Sequence, residues 1–245
     1  CRVQSLMRRM VGGTTADGCN YPSLVSITSY GFTVCNGVYS NGAIIVPDSC
    51  AGYMEYFNAY SGGDMTITAG DGTSTVIAKD DISAGISSVT ANGDGTSTVT
   101  LSTDFTGGCV TNVEVYDPAT HSVADVAASC RVVSYGGTSD VPEPLPGQPS
   151  ETPLVSNPTL DCCDQLLPQL STQVIGGDLS AAAGTYTCTA TDAAMCAGDL
   201  GAPVYCTDDN TGADVLVGMV VNSGCLAGET FVSLDLTGGS LTGFS

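Results

Sequence analysis

Basic side chains are nearly missing from this chain: five Lys and Arg stand against 25 Asp and Glu, for a formal net charge of −20, and there is a single histidine. Arg2, Arg8 and Arg9 lie at the start, which leaves Lys79 and Arg131 for the body. A surface of that sign repels nucleic acid and anionic membranes at long range. It attracts cations or basic partners, or serves as a solubility device in a salty medium. No C-x-x-C pair occurs and His121 stands alone, so neither cysteine nor histidine has the spacing of a metal site, and no metal or cofactor is expected. No apolar run approaches the length of a bilayer span, which argues against membrane insertion. The N-x-S/T acceptor is also missing, because Asn157 is followed by Pro158, so solubility rests on carboxylates and hydroxyls.

What is present is 31 Gly, abundant Ser, Thr and Val, and short apolar runs between Gly and Asp clusters, a composition that reads as all-β. The length of 245 residues allows one large or two small cores. Twelve cysteines, an even number, fit an oxidised extracellular product. The opening at Cys1, without Met or an apolar leader, is what a mature secreted form would show. Tyr21–Ile27 alternates as a half-buried strand should. Gly-Asp-Gly-Thr-Ser-Thr-Val occurs at 70–76 and again at 93–99, each copy an Asp-Gly turn ahead of an alternating strand. Residues 138–158 carry Pro142, Pro144, Pro146, Pro149, Pro153 and Pro158, which predicts an extended or looped segment unable to pair inside a sheet: a surface loop or a docking arm. A short helix is expected over 160–167 with Asp161 as its cap. His121 reads as a solvated linker residue.

The most informative stretch is Cys196-Ala197-Gly198-Asp199-Leu200-Gly201-Ala202-Pro203-Val204-Tyr205-Cys206. It resembles the nucleophile loop of the trypsin-like serine proteases, C-x-G-D-S-G-G-P followed by an apolar pair and a Cys, with Leu200 in place of the serine. Five further segments carry the same resemblance. Met10-Val11-Gly12-Gly13 is similar to the mature start I-V-G-G, and Tyr21-Pro22-Ser23-Leu24-Val25-Ser26-Ile27 to the strand Y-P-x-x-V-S-L. Cys35 to Cys50 resembles C-G-G-x-L-I…A-A-H-C, one residue shorter and with Pro47-Asp48-Ser49 before the second Cys. Cys130 to Gly136 resembles C-x-x-x-G-W-G, and Val215 to Cys225 resembles the cleft strand L-V-G-I-V-S-W-G-x-G-C. The resemblance covers residues 10 to about 232.

The resemblance implies two six-stranded Greek-key β-barrels, disulfide-rich. A leader similar to an activation peptide would occupy 1–9, the first barrel 10–115, an inter-barrel crossing 116–129 and the second barrel 130–245. It implies bridges Cys35–Cys50, Cys130–Cys206 and Cys196–Cys225, with Cys188 bound to Cys162 or Cys163. Cys1–Cys109 would tether the leader, and Cys19 would take the remaining member of the vicinal pair. Cleavage after Arg9 would free an amine for Asp199; an uncut or tethered leader and a short fixed tail are the alternatives.

The catalytic positions implied are Ser49 for the general base, Leu200 for the nucleophile, and a residue between Asp94 and Ser97, with Asp94 the nearest acid, for the orienting carboxylate. Acyl transfer needs a nucleophile in contact with a base. Leu200 has no nucleophilic atom, and the Ser49 hydroxyl has no usable basicity. The oxyanion donors, the N–H groups of Gly198 and Leu200, keep their places, but Ala194 at the specificity position offers nothing to a basic side chain. The expectation is therefore a secreted non-catalytic homologue, a pseudoprotease that binds a protein partner or assembles with itself. An inhibitor or decoy of another secreted enzyme, similar to the oomycete glucanase-inhibitor proteins, is a second reading. A hydrolase rebuilt around His121 or Asp199 is a third.

Overall fold

The computed structural model describes residues 14–15, 18–29, 32–60, 65–69, 74–77, 85–106, 108–125, 129–135, 154–156, 161–163, 185–189, 199–223 and 230–241. Its strands are β1 (Thr14–Thr15), β2 (Leu24–Ser29), β3 (Phe32–Ser40), β4 (Ala43–Pro47), β5 (Met65–Ala69), β6 (Ser74–Ile77), β7 (Ile86–Ala91) and β8 (Thr96–Leu101). They continue as β9 (Cys130–Ser134), β10 (Leu154–Ser156), β11 (Asp161–Cys163), β12 (Thr185–Thr189), β13 (Pro203–Thr207), β14 (Asp214–Ser223) and β15 (Thr230–Asp235). One α-helix, α1 (Asp48–Tyr60), is present among the described residues.

The molecule is thus mostly β, with a helix that the all-β reading lacked. Two features favour α1 where alanines and a histidine were the pattern to match. Pro47 ends β4, and Asp48 places a carboxylate in the first turn, where the unpaired N–H groups and the helix dipole favour negative charge. Cys50, Ala51 and Met54 then fall on one face and are buried.

The strands form two antiparallel sheets of seven and eight strands, not two sets of six. The seven-stranded sheet, in the order β6-β5-β2-β3-β4-β8-β7, is curled into a half-barrel; the chain continues past β5 into β6, which adds a strand at that edge. The eight-stranded sheet has the order β1-β10-β9-β13-β14-β15-β12-β11. β1 therefore joins the second sheet, although it precedes the whole of the first.

β10 and β11 lie near opposite ends of this second order, yet only a short connection separates them in sequence. From Ser156 to Asp161 the chain reaches at most about 18 Å. A flat sheet would hold the two strands about 29 Å apart at the usual strand spacing. The second sheet must therefore curl toward itself.

Three expectations are corrected here. Leu154–Ser156 does pair, on both sides, between β1 and β9. Pro153 and Pro158 flank this short window without entering it, so its N–H groups remain free to join the ladder. Asp161–Cys163 is a strand, not the start of a helix: β12 supplies ladder partners that outweigh the capping potential of Asp161. Third, β2 is buried on both faces instead of one. Val25 and Ile27 enter the core of the first sheet, with Ile44, Ile67 and Val99. Leu24 points the other way, into a second cluster with Val38, Val133, Tyr205, Leu216 and Met219, which joins the two halves.

Three disulfides close the described residues: Cys35–Cys50, Cys130–Cys206 and Cys19–Cys109. The first two are those the resemblance implied. The third overturns Cys1–Cys109, because Cys19 precedes β2 and lies 5.6 Å from Cys109, Cα to Cα. The backbone ladder sets Cys162 opposite Cys188 and Cys163 opposite Thr187. Cys1, Cys196 and Cys225 lie outside the described residues.

Candidate functional site

The turn before β13 runs Asp199-Leu200-Gly201-Ala202 and is tied to the strand behind it. Ala202 N–H donates to Asp199 O (2.9 Å), Gly201 N–H to Val220 O (2.7 Å), and Val220 N–H to Ala202 O (2.9 Å). Gly201 sits at φ 77°. A Cβ there would lie 2.0 Å from Asn36 O and 3.1 Å from Pro47 Cδ, so the turn presses its backbone onto β3 and the end of β4. Only glycine satisfies both the dihedral and the approach.

Asn36 fixes this contact. Its backbone N–H donates to Leu200 O (2.7 Å) and its Nδ2 to the same oxygen (3.3 Å), while its Oδ1 accepts the N–H of Tyr135 (3.1 Å). A fully buried amide thereby joins β3, the turn and the end of β9. Sequence reasoning passed over Asn36. Its one available signal was an Asn beside Cys35 in a strand, where a buried amide needs partners.

The Leu200 side chain is half-buried and packs against the first core, which contains Cys35, Val46, Cys50 and Ala51. Ser49 lies in the first turn of α1, half-buried, two residues beyond the Pro47 that faces Gly201. Leu200 and Ser49, the two positions the resemblance singled out, thus flank the contact between the turn and the end of β4. Asp94 is turned to its own loop, where Oδ1 accepts Thr96 N–H (2.9 Å) and Thr96 Oγ1–H (2.6 Å). It is Ser97, opposite Val46 in the β4–β8 ladder, that reaches the start of α1: its hydroxyl donates to Asp48 Oδ1 over 2.6 Å. The pair at this spot therefore has its carboxylate on the helix and its hydroxyl on the strand.

Asp199 is fully buried and accepts a hydrogen bond from Ser134 Oγ (2.6 Å). Gly198, Ala194, Met10 and the leader 1–9 lie outside the described residues. His121 is held by its near neighbours in the chain. Its Nδ1 accepts Asp117 N–H (2.9 Å), which leaves Nε2–H to donate to Glu114 (3.1 Å). Both ring nitrogens are thus engaged by its own segment.

Carboxylates act here mainly as internal acceptors. Asp208, fully buried, takes the N–H of Ser122 (2.7 Å) and both the N–H and hydroxyl of Thr211. The Ser122 N–H first, then Thr211, lower its pKa to about 2. Asp235 takes the N–H and hydroxyl of Thr237 and the N–H of Gly239. Asp214 forms a two-pronged ion pair with Arg131, whose Nε also donates to Tyr21 OH (2.9 Å) beneath a cation–π contact. Tyr21 in turn stacks on Tyr205, whose hydroxyl exchanges a hydrogen bond with Ser23. No group of three or more His, Cys, Asp or Glu able to hold a metal occurs among the described residues. Among the same residues no helix is long and apolar enough to cross a membrane.

A scan against protein-family models gives no match, and a search of curated proteins gives none either.

Proposed function

We propose that this chain is a secreted, non-catalytic homologue of the trypsin-like serine proteases that acts as a binding or assembly module. The observation that carries the reading is the state of Leu200. An aliphatic side chain stands where attack on a carbonyl would begin, packed against the first core, with its carbonyl held by Asn36. Its neighbour across the contact is the helix start that carries Ser49, a hydroxyl where a base is needed.

The strand order supports the family part of the reading. In β5-β2-β3-β4 a fourth strand returns beside the first of three consecutive ones, the Greek-key arrangement. The short run from β10 to β11, which borders both ends of the second sheet, fits a closed second barrel. Two of the implied bridges also fall where the resemblance places them. The disulfides suit an oxidising compartment.

The test has two arms. A fluorophosphonate probe and a peptide library should give neither labelling nor cleavage, and either event overturns the non-catalytic part. Native mass measurement and cross-linking in the source fluid should give a self-assembly or a retained protein partner. A strictly monomeric species without neighbours overturns the module part.

A further inference from the structure

The sequence holds three Asn-Gly steps among the described residues, Asn36–Gly37, Asn41–Gly42 and Asn92–Gly93. Such a step is chemically labile, because the amide nitrogen after the asparagine can attack the side-chain carbonyl carbon and glycine offers no Cβ to hinder it. The three environments differ.

Asn36 is fully buried within β3, and its neighbour Gly37 lies in the ladder opposite Val25. Neither water nor the required rotation is available there. Asn41 is exposed, at the turn between β3 and β4, but is pinned. Its Oδ1 accepts Asn112 Nδ2 (2.8 Å), while its backbone N–H donates to Asn112 Oδ1 (2.7 Å). The attacking nitrogen is occupied as well: Gly42 N–H donates to Tyr39 OH (3.1 Å), which donates to Asp104 (2.7 Å). Burial and the Asp104 carboxylate push the Tyr39 hydroxyl pKa up, so it stays protonated and does not serve as a base for that nitrogen.

Asn92 is different. Asn92 and Gly93 are both exposed, and Gly93 lies at φ 85°. No described residue accepts a hydrogen bond from Gly93 N–H. The Asn92 side chain is held, as that of Asn41 is, with Thr98 Oγ1–H donating to Oδ1 (3.0 Å), so the difference between the two steps lies at the glycine nitrogen. At the other end Nδ2 donates to Thr96 Oγ1 (2.9 Å).

We infer that Asn92 is a site of spontaneous covalent modification in the folded protein, converting to aspartate and isoaspartate while Asn36 and Asn41 persist. The Gly93 nitrogen bonds to Asn92 Cγ and the Cγ–Nδ2 bond breaks. The proton lost from the Gly93 nitrogen passes through solvent to the leaving group, which departs as ammonia. Water then opens the cyclic imide at either carbonyl, giving aspartate or isoaspartate, with no change in oxidation state. The isoaspartate product carries an extra methylene in the main chain of the β7–β8 turn. There Asn92 N–H bonds to Thr96 O (2.8 Å), and β8 carries Ser97, whose hydroxyl donates to Asp48 at the start of α1.

The experiment is timed incubation of the whole oxidised chain at mildly alkaline pH, followed by peptide mapping with a fragmentation method that separates the two products. The Asn92 peptide should gain the mass of OH in place of NH2 first. Conversion at Asn41 should be at least about tenfold slower, the rate equivalent of roughly 1.4 kcal/mol of hydrogen bonding. Reduced and denatured chain should lose that difference, and Asn92→Gln should abolish the early product. Conversion of Asn41 as fast as Asn92 in the folded chain overturns the inference. So does an unmodified Asn92 in folded protein under conditions where the denatured chain reacts.

Discussion

The carbonyl of Leu200 lies 2.7 Å from the backbone nitrogen of Asn36, and this bond helps join the turn before β13 to β3 of the other sheet. The same asparagine accepts from Tyr135, so truncating it takes the acceptor from that buried N–H and the second donor from the Leu200 carbonyl. Asn36→Ala should lower unfolding free energy by about 2 kcal/mol. Urea unfolding with disulfides intact measures it, and a loss below a few tenths would show that the amide is dispensable.

Gly201→Ala should be harsher. The added methyl would stand 2.0 Å from Asn36 O at a dihedral that disfavours side chains, so something must move. A cost of more than about 3 kcal/mol is expected, or failure to accumulate oxidised protein. Wild-type melting behaviour for this variant would contradict the close approach of the two halves.

Asp208 gives the pH dependence. Its pKa is depressed in the folded chain, from the ordinary carboxylate range to about 2. Its contribution is therefore fully present above the ordinary carboxylate range and is lost as pH falls through that range toward 2. Asp208→Asn should melt below wild type at neutral pH, and the gap should close on acidification. A gap independent of pH would assign the effect to packing alone.

The Arg131–Asp214 pair predicts an asymmetry. Asp214→Ala leaves a half-buried guanidinium with Tyr21 and Thr207 as its remaining partners, and should cost about 2 kcal/mol. Replacing both, Arg131→Met with Asp214→Leu, should cost less than the sum of the single changes. A double-mutant cycle reads the difference, and simple additivity would count against a coupled pair.

The ladder that sets Cys162 opposite Cys188 predicts a bridge between these two in preference to Cys163. A non-reducing peptide map decides it, and a Cys163–Cys188 peptide would refute the register.

Much of the fold is legible in the residues because local pattern and global position agree there. The alternation after Tyr21 and the Asp-Gly turn before β8 are set by short-range pattern, whereas the bridges Cys35–Cys50 and Cys130–Cys206 were implied by the resemblance. What failed to be legible depends on the partner a segment meets. The alternation of β2 predicts one wet face, but Leu24 is covered by Tyr205 and Met219 from far along the chain. Leu154–Ser156 reads as a proline-flanked loop until β9 and β1 offer ladders on both sides.

The candidate site divides in the same way. That Leu200 offers no nucleophile and Ser49 no base is written in single letters. The exchange that puts the carboxylate on Asp48 and the hydroxyl on Ser97 is not, because it follows from the β4–β8 register. Asn36 could not be singled out either, since its role exists only once the turn carrying Leu200 arrives.

The bridge from Cys19 to Cys109 spans 90 positions and encloses every strand of the seven-stranded sheet. A protease that clips any loop inside that interval opens the main chain but releases no fragment while the cystine persists. Such a nicked molecule would migrate as a single species until a reductant is added, so damage in the first half would accumulate unseen in an oxidising fluid.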